Sequence, residues 1–481
     1  MAIGGSSTDH LLRCLRHRLG AGAVLEPGSE AIERYLREPR ARFGEMPLAV
    51  VRPADTGQVE EVVHLCRDRG VPMVPQGGRT GTVGGGVPAS AGREVIVSLG
   101  RMNRIRAVDR AGACIEVEAG CSLSTLCRAA EQIGLVFPVS LASEGSATIG
   151  GNIATNAGGH LTLRYGNMRS QVLGLEAVLA DGRRYDGLKA LRKDNTGYAI
   201  DQLLIGSEGT LGIVTAAVLA LQPAASQSVT VMAAVESLPA AVGLLGELRA
   251  GLGETLSAFE LIPRQAMDFV LAYLPDASDP FDRRHNWYVL IQADTAIRGD
   301  WLQTAALEVF ERSRQQGLIL ALVAATGGRQ SVALWRLREA ISPAQTLGGV
   351  SLKHDISLPV HALAEFYEAA VRALTEAIPG LRPCVFGHLG DGNLHFNLSQ
   401  PEAMDAEAFR ALEPLCNRIV FDLVARYRGS IAAEHGIGVL RRDQLGRYID
   451  PGKLQAMRQI KAALDPDGLF NPGKLLAPEA G

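Results

Sequence analysis

Residues 75–86 read PQGGRTGTVGGG, the most glycine-dense stretch in a chain of 481 residues. An ordered glycine loses more backbone entropy than any other residue, so such a stretch needs a reason. One reason is close approach of the backbone to a ligand, where successive N–H groups form a concavity suited to phosphate. The other is a set of tight turns between strands. A second stretch, SEGSATIGGNIATNAGGH (143–160), repeats the pattern. Each follows an apolar, strand-like segment, and the two together favour a phosphate-bearing cofactor. No GxGxxG occurs, so a Rossmann nucleotide site is not indicated. GLFNPGKL (468–475) fits GxxxxGK but carries Leu475 where a P-loop needs Ser or Thr. It also contains Pro472 and leaves no room for the helix that should follow.

Outward from these loops the chain alternates short strands and helices. AVVRP (49–53) reads as a strand, Thr56 as the N-cap of a helix with Val59, Val62, Val63 and Cys66 on its apolar face, Gly70 as its stop, and VPMVP (71–75) as a second strand. EVIVSL (94–99), CIEVEAG (114–120) and VLGLEAVLADG (172–182) are β-like, with a tight turn at 180–182. LQPAASQS (221–228) reads as a boundary. Beyond it, helical LPAAVGLLGELRAGLG (238–253) alternates with β-like NWYVLIQAD (286–294), the texture of an α+β domain.

PQGGRTGTVGGG, PVSLASEGSATIGGNIATNAGG (138–159) and GSEGTLGIVT (206–215) resemble the FAD-binding segments of the vanillyl-alcohol oxidase/p-cresol methylhydroxylase superfamily, and the resemblance runs from about residue 46 to the end. It implies an α+β fold: a two-part FAD-binding domain of the p-cresol methylhydroxylase type, an α+β substrate (cap) domain, and a C-terminal segment returning to the flavin. The implied layout is an N-terminal helical arm (1–45), the FAD-binding domain (46–224), the cap domain (225–425) and the C-terminal segment (426–481). By the same resemblance Gln76, Gly77, Gly78, Arg79, Thr80, Gly81 and Thr82, then Ser140, Gly145, Ser146, Thr148, Gly151, Asn152 and Thr155, contact FAD. Glu208 and Ile213 lie along its ribose or adenine, and Asn471 joins the cofactor set. Some members tether FAD through a His in the first loop. This chain has Arg79 there and no His, so FAD is expected to be non-covalent.

Length alone suggests two or three domains. Hydrophobic residues make up 47% and charged residues 21%, ample for a large core. The net charge of −3, without a Lys/Arg cluster, gives no reason to expect a nucleic-acid partner. No run of 18 apolar residues occurs, so no membrane span is expected. The N-terminal stretch lacks the apolar core of a signal peptide, and its Leu11, Leu12, Leu15 and Leu19 read as a short amphipathic helix. Seven scattered cysteines without a CxxC pair suit reduced thiols and a cytoplasmic location.

FGHLGDGNLHFN (386–397) is the sharpest chemical motif. Asp391-Gly392 between alternating apolar residues signals a two-residue hairpin. If those two form the turn, His388 faces His395 across the strands, with Asn397 on the same face. Two facing imidazoles suit a divalent metal, the bland alternative being ordinary surface or core histidines. AAEHGIG (432–438) adds a carboxylate at Glu434 and a base at His435. Two His and one carboxylate make a recurrent open metal site. No HExxH occurs, so a zincin-type protease is not supported. In WRLREAIS (335–342), Arg338 and Ser342 are four apart, hence on one face of a helix, which is either a carboxylate site or a solvated surface.

KHD (353–355), GHLGDGNLH, AEHGIG and LDPDGLFNPGK stand in the order of the D-lactate/D-2-hydroxyglutarate dehydrogenase branch of that superfamily, which the chain resembles. The resemblance implies that His388, His395 and Glu434 bind the metal and that His435 is the general base. It implies that Arg338, Ser342 (in place of the usual Thr) and Lys353 hold substrate carboxylates, with Asn397 a further substrate contact. Zinc is the first choice for the ion, with manganese or another divalent ion as alternatives. The expected reaction is oxidation of a D-2-hydroxy acid to the 2-oxo acid. The metal lowers the hydroxyl pKa, His435 takes the proton, and hydride passes to flavin N5. Two cationic residues favour a dicarboxylate such as D-2-hydroxyglutarate or D-malate over D-lactate or glycolate. Electron-transfer flavoprotein, a quinone or a cytochrome is the expected acceptor, and a homodimer the expected assembly. A metal-dependent hydrolase and a flavin-binding module without turnover are the competing readings.

Overall fold

The computed structural model describes residues 5–477. The chain divides into two compact units. One comprises the chain up to Gly158, Asn167–Pro223 and Glu434 onward; the other comprises Gly159–Gly166 and Ala224–Ala433. Within the described residues no helix is long and apolar enough to cross a membrane.

The first unit is built on two sheets. In one, strands Ala49–Val51, Val95–Ser98 and Met73–Gln76 run parallel, with Val24–Leu25 added antiparallel. The central strands are buried at every position, and apolar at all but Ser98, because they are covered on both faces. Helix Thr56–Arg67 buries Val59, Val62, Val63 and Cys66, the expected stripe, but its cap is Asp55, whose carboxylate accepts from Gln58 N, rather than Thr56. The second sheet is five-stranded and antiparallel, with Ile213–Ala220 at its centre between Cys114–Glu118 and Val172–Val178. Helix Gly5–Leu19 docks on the same core through Leu11, Leu12, Leu15 and Leu19. The chain's end returns here: Phe470 bridges to Met73, and Met73 N donates to Leu469 O.

The second unit also carries two sheets. The larger orders Leu256–Pro263, Trp287–Thr295, Gln227–Val235 and Ala321–Ala324, all antiparallel. The smaller orders Ser351–Ser357, Asn393–Ser399 and Arg382–Phe386. Leu261 and Gly387 exchange backbone hydrogen bonds of 2.8 and 3.2 Å, tying the edge strand of the first sheet to the loop of the second.

Two local expectations fail here. Asp391-Gly392 is not a two-residue hairpin turn. Phe386, not His388, pairs with His395, and residues 387–392 form the connection, with a 3₁₀ turn over Leu389–Asp391. Gly387 (φ 145°) and Gly392 (φ 86°) make this longer path work. A Cβ on Gly392 would sit 2.1 Å from Leu358 O, and one on Gly387 2.8 Å from Asn393 O. Likewise Arg338 and Ser342 do not share a helix. Helix Gly328–Glu339 ends at Ala340, and a second helix, Ile341–Leu347, starts from it.

Candidate active site

In the first unit the two glycine stretches pack against each other. A Cβ on Gly77 would meet Thr148 Oγ1 at 2.3 Å, and one on Gly78 would meet Ser146 O at 1.9 Å. The glycines at these positions therefore allow two backbones to close on one another. Around them lie buried polar atoms without a hydrogen-bond partner among the described residues: Gln76 Oε1, Thr82 Oγ1, Thr148 Oγ1, Asn152 Nδ2 and Asn471 Oδ1. Such atoms cost about 1–3 kcal/mol each when left unpaired. All five belong to the residues expected to contact FAD, so the cradle fits a polar, phosphate-bearing ligand.

Three members of that set, Arg79, Glu208 and Asn471, hold left-handed backbone (φ 58°, 53° and 45°), uncommon for residues other than glycine. Asn471 Nδ2 donates to Gly85 O (2.8 Å) and Glu208 O (2.7 Å), binding the chain's end to the first loop. The Glu208 carboxylate is buried and accepts from Ile437 N and Gly438 N. Burial raises its pKa, and those two N–H groups only partly offset the rise. This carboxylate holds the AEHGIG loop in place. Gly436 and Gly438 are needed there because a Cβ would sit 2.8 Å from Glu208 Oε1 and 2.2 Å from Val83 O respectively. Ile213 is fully buried in the apolar core, at the start of the central strand. The Thr155 hydroxyl donates to Gly151 O. The Arg79 guanidinium stacks on Tyr35 and lines, with Thr80, an open groove of about 680 Å³ beside Arg34 and Arg37.

In the second unit, register arranges the chemistry. Lys353, Asn397 and Cys384 are cross-strand neighbours, as are Asp355, His395 and Phe386. With a two-residue period, both rows lie on one face of the small sheet. Despite the altered hairpin, the rings of His388 and His395 stand 5.4 Å apart. The chain leaves this unit at Ala433, whose N–H donates to Asp355 O, and Glu434 follows directly. One ligand atom each from His388, His395 and Glu434 lies within 4.8 Å of the others.

A buried carboxylate hydrogen-bonds one imidazole, and another lies near the second. His388 Nδ1 lies 2.6 Å from Glu260 Oε1, and His395 Nδ1 lies 3.8 Å from Asp355 Oδ1. Carboxylate-backed imidazoles are typical of metal ligands, which adds to the fit of the donor set. Burial alone would raise the Glu260 pKa. The His388 and Arg338 charges and the hydrogen bond with His388 outweigh it and hold the carboxyl well below its ordinary range.

Arg338 is buried, its Nε donating to Glu260 Oε2 (2.7 Å) and its guanidinium lying over Phe386. Lys353 Nζ donates to Ser342 Oγ (3.2 Å), so these two candidates meet although Ser342 is on the second helix. Asn397 is buried, its Nδ2 donating to Gln345 Oε1. His160 stacks on Trp335, and burial lowers its pKa to about 4 against the pull of Glu260.

Glu260, His160 and Gln345 went unnoticed in the sequence. For Glu260 there was a signal: it is the only charged residue in the strand LSAFELIP, which is buried at every position.

Comparison with known proteins agrees with this architecture. Residues 47–186 match the FAD binding domain, and residues 224–475 match the C-terminal domain of FAD linked oxidases. Mitochondrial D-2-hydroxyglutarate dehydrogenase of Arabidopsis thaliana is 40% identical over 426 residues, covering 88% of this chain and 74% of that one. D-2-hydroxyglutarate dehydrogenase of Xanthomonas citri pv. viticola is 38% identical over 447 residues, covering 92% of each. Among solved structures, p-cresol methylhydroxylase superposes with a TM-score of 0.77 at 17% identity, covering 100% of this chain and 99% of that one, a likeness of fold. The chain belongs to the D-2-hydroxyglutarate dehydrogenase family of FAD-linked oxidases.

Proposed function

We propose that this protein is an FAD-dependent dehydrogenase that oxidises D-2-hydroxyglutarate to 2-oxoglutarate with the help of a divalent metal. The observation that carries the reading is the alignment with D-2-hydroxyglutarate dehydrogenases over about nine tenths of the chain, joined to a His/His/Glu cluster. Bound FAD supplies a two-electron oxidant. The glycine loops, with Gln76, Thr82, Thr148, Asn152 and Asn471, are the residues to hold it, without a covalent tether. The ion, zinc in the first instance, supplies a Lewis acid that acidifies the substrate hydroxyl, held by His388, His395 and Glu434.

The rest falls to the chain's own side chains. His435 accepts the hydroxyl proton. Arg338 and Lys353 neutralise the carboxylates, with Ser342 and Asn397 fixing their orientation. D-malate, with a chain one carbon shorter, is the nearest alternative substrate; D-lactate lacks the second carboxylate. An electron-transfer flavoprotein, a quinone or a cytochrome completes turnover, and a homodimer is the proposed assembly. All seven cysteines are free, which supports a reducing compartment such as the cytoplasm.

A metal-dependent hydrolase would need no cradle of orphaned polar atoms and no FAD-binding domain, and a flavin-binding module without turnover would need no His/His/Glu cluster. The test is product analysis in the absence of oxygen. Each flavin reduced should yield one 2-oxoglutarate from D-2-hydroxyglutarate, and chelation should suppress the yield until zinc or manganese is restored. Flavin-free protein, or a yield unchanged in verified metal-free protein, would contradict the cofactor or the metal assignment respectively.

A further inference from the structure

Glu260 stands outside every expected set of site residues, yet it touches two of them. Its side chain is 1% exposed. One oxygen meets His388 Nδ1 at 2.6 Å, and the other accepts from Arg338 Nε at 2.7 Å. We infer that Glu260 is a positioning residue that fixes a metal-ligand imidazole and the substrate-carboxylate guanidinium from one buried carboxylate, so that metal affinity and substrate recognition depend on the same side chain. The inference rests on the functional reading above.

The chemistry on each side is specific. A carboxylate at Nδ1 holds the proton on that nitrogen and leaves the Nε2 lone pair for an ion. On the other side, the bond to Nε and the Phe386 ring beneath the guanidinium fix the plane of Arg338. The Nη edge is left to receive a carboxylate by two parallel hydrogen bonds. Both partners are donors, and only a residue with two acceptor oxygens satisfies both. Glutamine offers one acceptor and one donor, so it must either lose Arg338 or present an N–H to His388. The second choice moves the imidazole proton to Nε2 and blocks coordination there. The backbone places Glu260 for this work, because the adjacent Leu261 is hydrogen-bonded in both directions to Gly387, the neighbour of His388.

The test compares wild type, Glu260→Gln, His388→Ala and the double variant as flavin-loaded holoenzymes, with zinc affinity measured by competition with a chromophoric chelator. Glu260→Gln should retain flavin and lose about 10–100-fold in zinc affinity, in keeping with loss of an outer-shell partner. It should add little further loss in the His388→Ala background, because its effect passes through that ring. At saturating zinc, KM for D-2-hydroxyglutarate should still rise in Glu260→Gln as the Arg338 fork loosens. If Glu260→Gln does not retain flavin, the same comparison is read in Glu260→Asp, whose shorter carboxylate cannot reach both partners. Wild-type zinc affinity in Glu260→Gln, or full additivity with His388→Ala, would overturn the inference while leaving the metal site standing. Wild type that takes up no zinc, manganese or other divalent ion would overturn the metal assignment, and the inference with it.

Discussion

His435 carries the proton transfer in this account and no part of the flavin cradle. His435→Ala should therefore keep its flavin and lose anaerobic reduction by D-2-hydroxyglutarate by about 10²–10⁴-fold, measured by stopped-flow absorbance. Full reduction rates would remove it from the mechanism. His160 makes a different kind of prediction. Burial holds its folded pKa at about 4, below its ordinary 6.5. Between those values the unfolded chain binds the extra proton, so stability rises with pH through this window. The contribution is complete above pH 6.5 and is lost as pH falls towards 4, by roughly 3 kcal/mol at 1.36 kcal/mol per pKa unit. Urea midpoints of His160→Asn should be flatter than wild type across that range. At this scale the sequence exposed residues that repeat a motif, such as His388, His395 and Glu434. It marked Glu260 only as a lone charge in an apolar strand and did not mark His160, because a lone polar residue acquires its role from partners distant in sequence.

Among the elements, the glycine loops and the 387–392 connection carry the sharpest steric constraints. Gly78→Ala places a methyl 1.9 Å from Ser146 O and should cost the protein most of its bound FAD, read from the absorbance ratio of purified protein. Gly392→Ala combines left-handed backbone with a Cβ 2.1 Å from Leu358 O. It should destabilise the fold by about 1–3 kcal/mol or more, measured by denaturant unfolding. Most elements of the first unit could be read in advance, because apolar runs bounded by glycine and proline leave little choice of strand. The hairpin could not. The Asp-Gly signal is local, whereas Gly387 is held by Leu261 in another sheet, and that tertiary bond sets the register. The helix through WRLREAIS breaks at Ala340 because Pro343, just beyond that stretch, has no N–H for Glu339 O and sits instead in the first turn of a new helix.

Across the whole molecule, two matched domain families and a relative 38% identical over 92% of the chain describe a member of the D-2-hydroxyglutarate dehydrogenase family. The buried orphan atoms of the first unit make a thermodynamic prediction at this scale. Adding FAD at about 100 times its Kd to flavin-stripped protein should raise unfolding stability by about 2.7 kcal/mol, provided only the folded form binds. The fold class was legible because glycine loops, hairpin histidines and the EHG segment stood in order along the chain. The choice of acid is the finer claim; it follows the D-2-hydroxyglutarate dehydrogenase relatives, and in the proposed site two cations, Arg338 and Lys353, would meet its two carboxylates. The direct measurement is anaerobic flavin reduction by the D and L forms of 2-hydroxyglutarate, malate and lactate, followed at the flavin absorbance maximum. D-2-hydroxyglutarate should bleach the flavin fastest, D-malate more slowly and D-lactate more slowly still, with the L forms inert. Equal bleaching by D-lactate and D-2-hydroxyglutarate would contradict the two-carboxylate site, and no bleaching by any of the six would contradict the assignment as a 2-hydroxy-acid dehydrogenase.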